Sequence, residues 1–514
     1  MAVTIQPPAA LATPERTEAT RTRATAADAP TIAWKSCDNE GLRDMGAECG
    51  LLSVPLDYAR PDGKQVQLAI SRVKHLTPDA QYQGIMLTNP GGPGGSGLGL
   101  STLGMQVPGD GGDPYDWIGF DPRGVGSSKP SLSCIPEYFK GPRPEYVPWK
   151  MRLETVWLSR SKSYANACRK AGRELLEHLT TADSAKDMDR IRIALGQEQI
   201  NYYGFSYGTY LGQVYSTLFP QRVRRMVLDS NVDPRNVWYQ ANLDQDIAFQ
   251  RNIRIWFGWL AKYDGVYHLG KTAAEVEVRY YVEQGKLREQ PAGGLVGPDE
   301  WTDIFLYAGY YEMLWVPLAS VLARWVNERN TDPLLAAYRD FVEPDDDNGF
   351  AIYNAVQCSD VQWPKSWARW RRDNWQTFLI APFATWGNAW FNAPCLYWPA
   401  KASTSVNVDG SQVDSVLLVG QTLDAATPFE GSIEVRRRFP NASLIAVPGG
   451  TTHAGTLRGD TCTDDLIAGY LLRGERPVRK AGDEPDAACQ PPAQPDPTTD
   501  GPNTTSTRPL TRIR

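Results

Sequence analysis

The sequence predicts an α/β protein, a mostly parallel doubly wound sheet interrupted by a large, mainly helical insertion. Three observations carry this. Short continuous apolar runs, such as Gly84-Ile85-Met86-Leu87-Thr88 and Val416-Leu417-Leu418-Val419-Gly420, have the composition of strands buried on both faces. These runs alternate with helical patterns, notably 182–195, as parallel crossovers require. Finally, roughly 185 residues separate the strand ending near Asp229 from the one starting near Val416, far more than one crossover needs.

Taken in order, residues 1–32 are rich in Thr, Arg, Ala and Pro and are expected to be disordered. The first part of the core domain spans 33–231, with strands expected at 51–56, 66–73, 84–88, 117–121, 199–203 and 225–228. Residues 232–410 form the insertion, and it holds 13 of the 17 tryptophans. Most of these rings should build a small helical core, and a minority should line a cleft. The core resumes over 411–489 with strands at 416–419 and 443–447. A second disordered tail is expected over 490–514, where Pro, Thr, Asp and Asn dominate. No internal repeat is present at solenoid or propeller periods.

The chemistry starts at Gly204-Phe205-Ser206-Tyr207-Gly208. A serine flanked by glycines two positions away on each side fits a sharp strand-to-helix turn that exposes a nucleophile, because any Cβ at those sites would collide. A plain Gly-rich turn gives the same local pattern, so the rest of the site must decide. A serine nucleophile needs a histidine base and an orienting carboxylate. Only His268 and His453 follow the serine. His453 stands in Gly449-Gly450-Thr451-Thr452-His453-Ala454-Gly455, just beyond the apolar run 443–447, whereas His268 lies in an aromatic region and reads as a packing residue. Asp424 leaves the run 416–419 on the loop Gln421-Thr422-Leu423-Asp424-Ala425-Ala426-Thr427-Pro428. A helix N-cap is the competing role for that aspartate. Ser206, Asp424 and His453 nevertheless fall in one order, each at a strand end.

Another strand, 84–88, ends in Asn89-Pro90-Gly91-Gly92-Pro93-Gly94-Gly95-Ser96-Gly97. One backbone N–H from this loop and that of Tyr207 would hold a tetrahedral oxyanion. A phosphate loop is the rival, but no lysine follows in the required place and the glycine spacing does not fit a dinucleotide site.

With these segments, Phe120-Asp121-Pro122-Arg123-Gly124-Val125-Gly126-Ser127-Ser128, and Asp424-x-x-Thr427-Pro428, the chain resembles the secreted tripeptidyl aminopeptidases of actinomycetes. These are α/β-hydrolase peptidases related to prolyl aminopeptidases, and the likeness runs from about Trp34 to about Cys489. It implies an α/β-hydrolase fold, a cap at the insertion, and Gly92 as the second oxyanion donor. Pro90 stands where the prolyl aminopeptidases carry a histidine.

Composition is compatible with a secreted hydrolase. The net charge is −6, with no basic run or basic-aromatic patch, so nucleic acid is not an expected partner. No apolar stretch is long enough to span a membrane. Eight cysteines occur without a Cys-x-x-Cys pair, and no cluster with metal spacing is visible, so neither metal nor cofactor is expected. The economical pairing joins neighbours in order: Cys37 with Cys49, Cys134 with Cys168, Cys358 with Cys395, and Cys462 with Cys489. Buried free thiols in a cytosolic enzyme are the alternative. Residues 1–30 lack the charged and apolar regions of a secretory leader, so a signal removed from a mature extracellular form is expected.

An exopeptidase must also fix the substrate's N-terminal ammonium. A partly desolvated carboxylate of the insertion would do so, with Glu312 and Asp360 as candidates, whereas Asp345-Asp346-Asp347 reads as a solvated turn. The expected function is a serine exopeptidase releasing tripeptides or other short peptides from free N-termini. The alternatives are a carboxylesterase or amidase for a small molecule and a binding protein on the same scaffold.

Overall fold

A computed structural model describes residues 31–499, so the calls on 1–30 and on 500–514 lie outside the described residues. The sheet strands are β1 (Lys35–Ser36), β2 (Glu48–Pro55), β3 (Gln65–Val73), β4 (Ile85–Asn89), β5 (Asp116–Phe120), β6 (Ile200–Phe205), β7 (Val223–Asp229), β8 (Val416–Gln421), β9 (Ala442–Val447) and β10 (Ala487–Ala488). They form one sheet in the order β1-β2-β3-β5-β4-β6-β7-β8-β9-β10. Pairing is antiparallel from β1 through β3 to β5. It is parallel from β5 through β4 to β10.

Sequence explains the difference. Every residue of β4, β6, β8 and β9 is buried, as strands covered by helices on both faces require. Strand β2, near the sheet's edge, instead alternates buried and exposed residues over Leu51, Leu52, Ser53 and Val54. The eight expected strands are all present, with ends shifted by a few residues. Among the crossover helices, Thr181–Ala194 begins where Thr180 accepts a hydrogen bond from the Asp183 N–H at 3.1 Å.

Between β7 and β8 the insertion is helical, and its aromatic residues divide between two cores. Trp256, Trp301 and Trp315 pack into a core of the insertion's own helices. Trp363, Trp370, Trp386 and Trp390 belong to the same apolar cluster as Leu52, Leu68 and Leu87 of the sheet. The second half of the insertion is therefore built into the hydrolase core rather than set on top of it.

Two sequence expectations are corrected here. Asp347 is buried and not a solvated turn residue. Its carboxylate accepts from Ser133 Oγ, the Cys134 and Ile135 N–H groups and Tyr164 OH, pinning the segment after β5 to the insertion. The tail expected from residue 490 is held well past that point, since Trp259 Nε1 donates to the Pro495 carbonyl at 2.9 Å. The four disulfides join the cysteines in the expected order: Cys37–Cys49, Cys134–Cys168, Cys358–Cys395 and Cys462–Cys489. Among the described residues no helix is long and apolar enough to cross a membrane.

Candidate active site

Strand β6 ends at Phe205 and a helix begins at Tyr207, leaving Ser206 at the turn with φ 55° and ψ −127°. A non-glycine residue holds such a conformation only when its surroundings enforce it. The enforcement is visible. Ser206 N–H donates to the Asp229 carbonyl of β7 at 3.1 Å, and Thr209 Oγ1 donates back to the Ser206 carbonyl at 2.6 Å. A Cβ on Gly204 would sit 2.7 Å from the Gly208 carbonyl oxygen, and one on Gly208 would sit 2.6 Å from that of Asn89. Both glycines are therefore steric necessities.

Asp424 and His453 meet in a buried pocket beside the turn. His453 Nδ1 lies 2.9 Å from Asp424 Oδ2. The same carboxylate accepts from the Ala426 and Thr427 N–H groups and from Thr427 Oγ1. Burial opposes the charge on Asp424, but the imidazole and these hydrogen bonds outweigh it and hold the carboxyl below its ordinary range. The competing N-cap role is not seen, because the next helix starts at Glu430 with Phe429 at its cap; Asp424 instead closes its own turn while facing His453. Ser206 lines the same cleft as His453. No hydrogen bond joins the two side chains, as is common before substrate tightens the site.

The histidine loop is held from two sides. Below it, Ser230 Oγ accepts from the Ala454 N–H at 2.8 Å, and Asp229 accepts from both the N–H and Oγ1 of Thr456. Above it, the His453 N–H donates to the Tyr310 carbonyl at 2.8 Å, and the Tyr310 ring packs edge-on to the imidazole. Sequence reading missed these supports. It also missed Arg251 and Asn252, which donate to the Leu423 carbonyl from the insertion. His268, expected to pack, is exposed at a helix end.

The glycine loop reaches the turn directly. A Cβ on Gly91 would lie 2.9 Å from Tyr207 N, and Gly91 has φ +97°, so only glycine permits this approach. The Gly91 N–H is taken by Asn89 Oδ1, while among the described residues that of Gly92 meets no protein acceptor. Tyr207 opens its helix, so its N–H also has no intrahelical acceptor. The motif around Asp121 proves to be a support. Asp121 accepts from the Gly97 and Ser127 N–H groups, and Arg123 pairs with buried Asp187 at 2.6 Å.

The site opens into a cleft of about 2030 Å³, walled by the insertion and about twice the upper end of the range for small-molecule pockets. Neither expected amine anchor lines it. Asp360 is buried away from the cleft, accepting from the Thr181 N–H and Oγ1 and from Trp238 Nε1, and burial pushes its carboxyl up to about 6. Glu312 accepts from Thr451 Oγ1 at 2.5 Å and braces the histidine loop, with its carboxyl raised by burial. Both carboxylates face inward because local hydrogen-bond donors claim them. Among the described residues no three side chains of metal-binding type converge.

Comparison with known proteins places these features in a family. Residues 84–286 match the model of the alpha/beta hydrolase fold, and residues 381–489 match that of the TAP-like proteins. The chain is 41% identical over 478 residues to the tripeptidyl aminopeptidase of Streptomyces lividans, covering 91% of this chain and 88% of the relative. It is 31% identical to the serine protease Hip1 of Mycobacterium tuberculosis, over 87% of this chain and 89% of the relative. A protein of the same organism named carboxylesterase B is 32% identical with the same coverage. On this similarity, and with a strained serine beside a buried Asp–His pair, the chain belongs to the tripeptidyl aminopeptidase family of α/β-hydrolase serine peptidases.

Proposed function

We propose that this protein is an extracellular serine exopeptidase that removes tripeptides from free N-termini through an acyl-enzyme. Ser206 Oγ attacks the scissile carbonyl while His453 Nε2 takes its proton. The C–N bond then breaks as the imidazolium passes that proton to the leaving amine. Asp424 fixes the imidazole's tautomer and stabilises its charge, and the N–H groups of Gly92 and Tyr207 face the oxyanion. Water repeats the sequence to release the peptide. The observation that carries the reading is the joining of this site to a large cleft walled by the insertion, in a chain 41% identical to a tripeptidyl aminopeptidase. Four disulfides support an oxidising, extracellular setting.

The likeness to a protein named carboxylesterase B favours a second reading, hydrolysis of a small-molecule ester or amide by the same residues. Turnover of a trialanine anilide, its N-acetylated form and a p-nitrophenyl ester separates the two. The peptidase prefers the free amine strongly, and an esterase ignores it. Ser206→Ala should lower turnover by several orders of magnitude in a folded protein; phosphonate labelling of that variant would rule out Ser206 as the nucleophile.

A further inference from the structure

Several carboxylates line the cleft, and two of them already have cations: Asp233 pairs with Arg235, and Asp303 with Arg143. Asp246 differs. It borders the cleft at 1% exposure, and among the described residues no cation pairs with it. Asn388 Nδ2 donates to its Oδ1 at 3.0 Å, and among the described residues no donor reaches Oδ2. It lies on the helix Tyr239–Lys262, where Asn242, Gln245, Asp246 and Phe249 form one cleft-facing stripe. Six residues on, Asn252 holds the carbonyls of Leu423 and Thr451, the neighbours of the acid and the base. Six residues of helix rise about 9 Å. Three extended residues span about 10 Å.

We propose that the Asp246 carboxylate binds the α-ammonium of the substrate's first residue, so that the peptide lies along this helix with its third carbonyl at Ser206. This deepens the exopeptidase reading and rests on it. A buried carboxylate without a cation is incomplete, and a substrate ammonium completes it with a charge-assisted bond strengthened by low dielectric. The groups around Asp246 are amides, a phenol and an acid: Asn388 and Asn392 from one helix, Tyr353 from another, and Asn242 and Asp244 from its own. Burial, reinforced by Asp244, pushes the carboxyl up to about 8. The free enzyme therefore holds it neutral at pH 7, and ion-pair formation with the ammonium sends its proton to solvent.

Asp246 also ties two helices together through Asn388, so the experiment must separate charge from packing. In the wild type, the ratio of kcat/KM for trialanine anilide to that for its N-acetyl form tests exopeptidase action itself; a ratio near unity sinks that reading before any variant is made. Where the preference exists, Asp246→Asn keeps the shape and the Asn388 contact but loses the charge. The ratio should fall at least tenfold, and a retained ratio overturns the proposal. Independently of that variant's folding, the Ser206→Ala protein can be titrated with trialanine at pH 7 in buffers of different ionisation enthalpy. Trialanine should bind with net proton release, and binding no tighter than that of N-acetyl-trialanine overturns the proposal too.

Discussion

Asp424 spends its acceptor capacity on four donors at once: the Ala426 and Thr427 N–H groups, Thr427 Oγ1 and His453 Nδ1. Asp424→Asn puts an amide where one of these donors points and destabilises the productive tautomer. Turnover should drop by about 10⁴-fold with little change in KM, and steady-state kinetics with the anilide checks it. Asp246 gives the opposite electrostatic case. Its carboxyl rises from 3.8 to about 8 on folding, so the folded chain keeps a proton that the unfolded chain releases between those values. The site's contribution to stability is complete below pH about 4 and is lost as pH rises through about 8. Asp246→Asn should therefore gain on the wild type by on the order of 4 kcal/mol between pH 5 and pH 8.5, and a melting-temperature gap that does not widen with pH would refute this. Ser206, Asp424 and His453 were legible because each follows an apolar strand in a fixed order. Asp246 was not, since Asn-Leu-Asp-Gln-Asp looks like any solvated helix surface, and one-dimensional pattern cannot show that this stripe meets a cleft. Glu312 and Asp360 misled for the complementary reason: an acid in an aromatic stretch looks available until its donors, Thr451 and Thr181, are seen.

The helix Tyr239–Lys262 links the insertion to the chemistry. Gln245 donates to the Ala426 carbonyl and Arg251 to that of Leu423, while Asn252 reaches the carbonyls of Leu423, Gly309 and Thr451. One side chain thus joins the acid loop, the histidine loop and a second cap helix. Asn252→Ala leaves these carbonyls short of a donor, at about 1–3 kcal/mol for a buried group. The resulting shift of either loop should lower kcat by about 10- to 100-fold. A variant with a lower melting temperature and unchanged kcat would show that the helix only covers the site. Sequence patterns located the parallel strands well, because strands buried on both faces are apolar throughout. The two-residue strands β1 and β10 carry too few residues to show any period. The division of the tryptophans between two cores is a tertiary outcome that composition cannot express.

Across the molecule, the second half of the insertion and the hydrolase core are one body, and the Cys358–Cys395 bridge sits in their shared apolar cluster. Two residues beyond Cys358, Asp360 accepts from Thr181 Oγ1, which in turn lies 2.8 Å from the OH of Tyr207, the residue after Ser206. Loosening this bridge should therefore be felt at the Ser206 turn. By contrast, Cys37–Cys49 ties the short strand β1 to β2 at the far edge of the sheet, remote in topology from β6. The loops closed are 37 and 12 residues, worth about 4 and about 3 kcal/mol on the chain-entropy model. Stability alone would make the two bridges nearly interchangeable. Their coupling to Tyr207 does not. Replacing Cys358 and Cys395 with alanine should lower the melting temperature and, well below it, reduce kcat/KM for the anilide several-fold. Replacing Cys37 and Cys49 should lower the melting temperature by a similar amount while kcat/KM stays at the wild-type value. Equal catalytic losses in both double variants, measured at a temperature where each is fully folded, would show that the path through Asp360 and Thr181 does not position Tyr207.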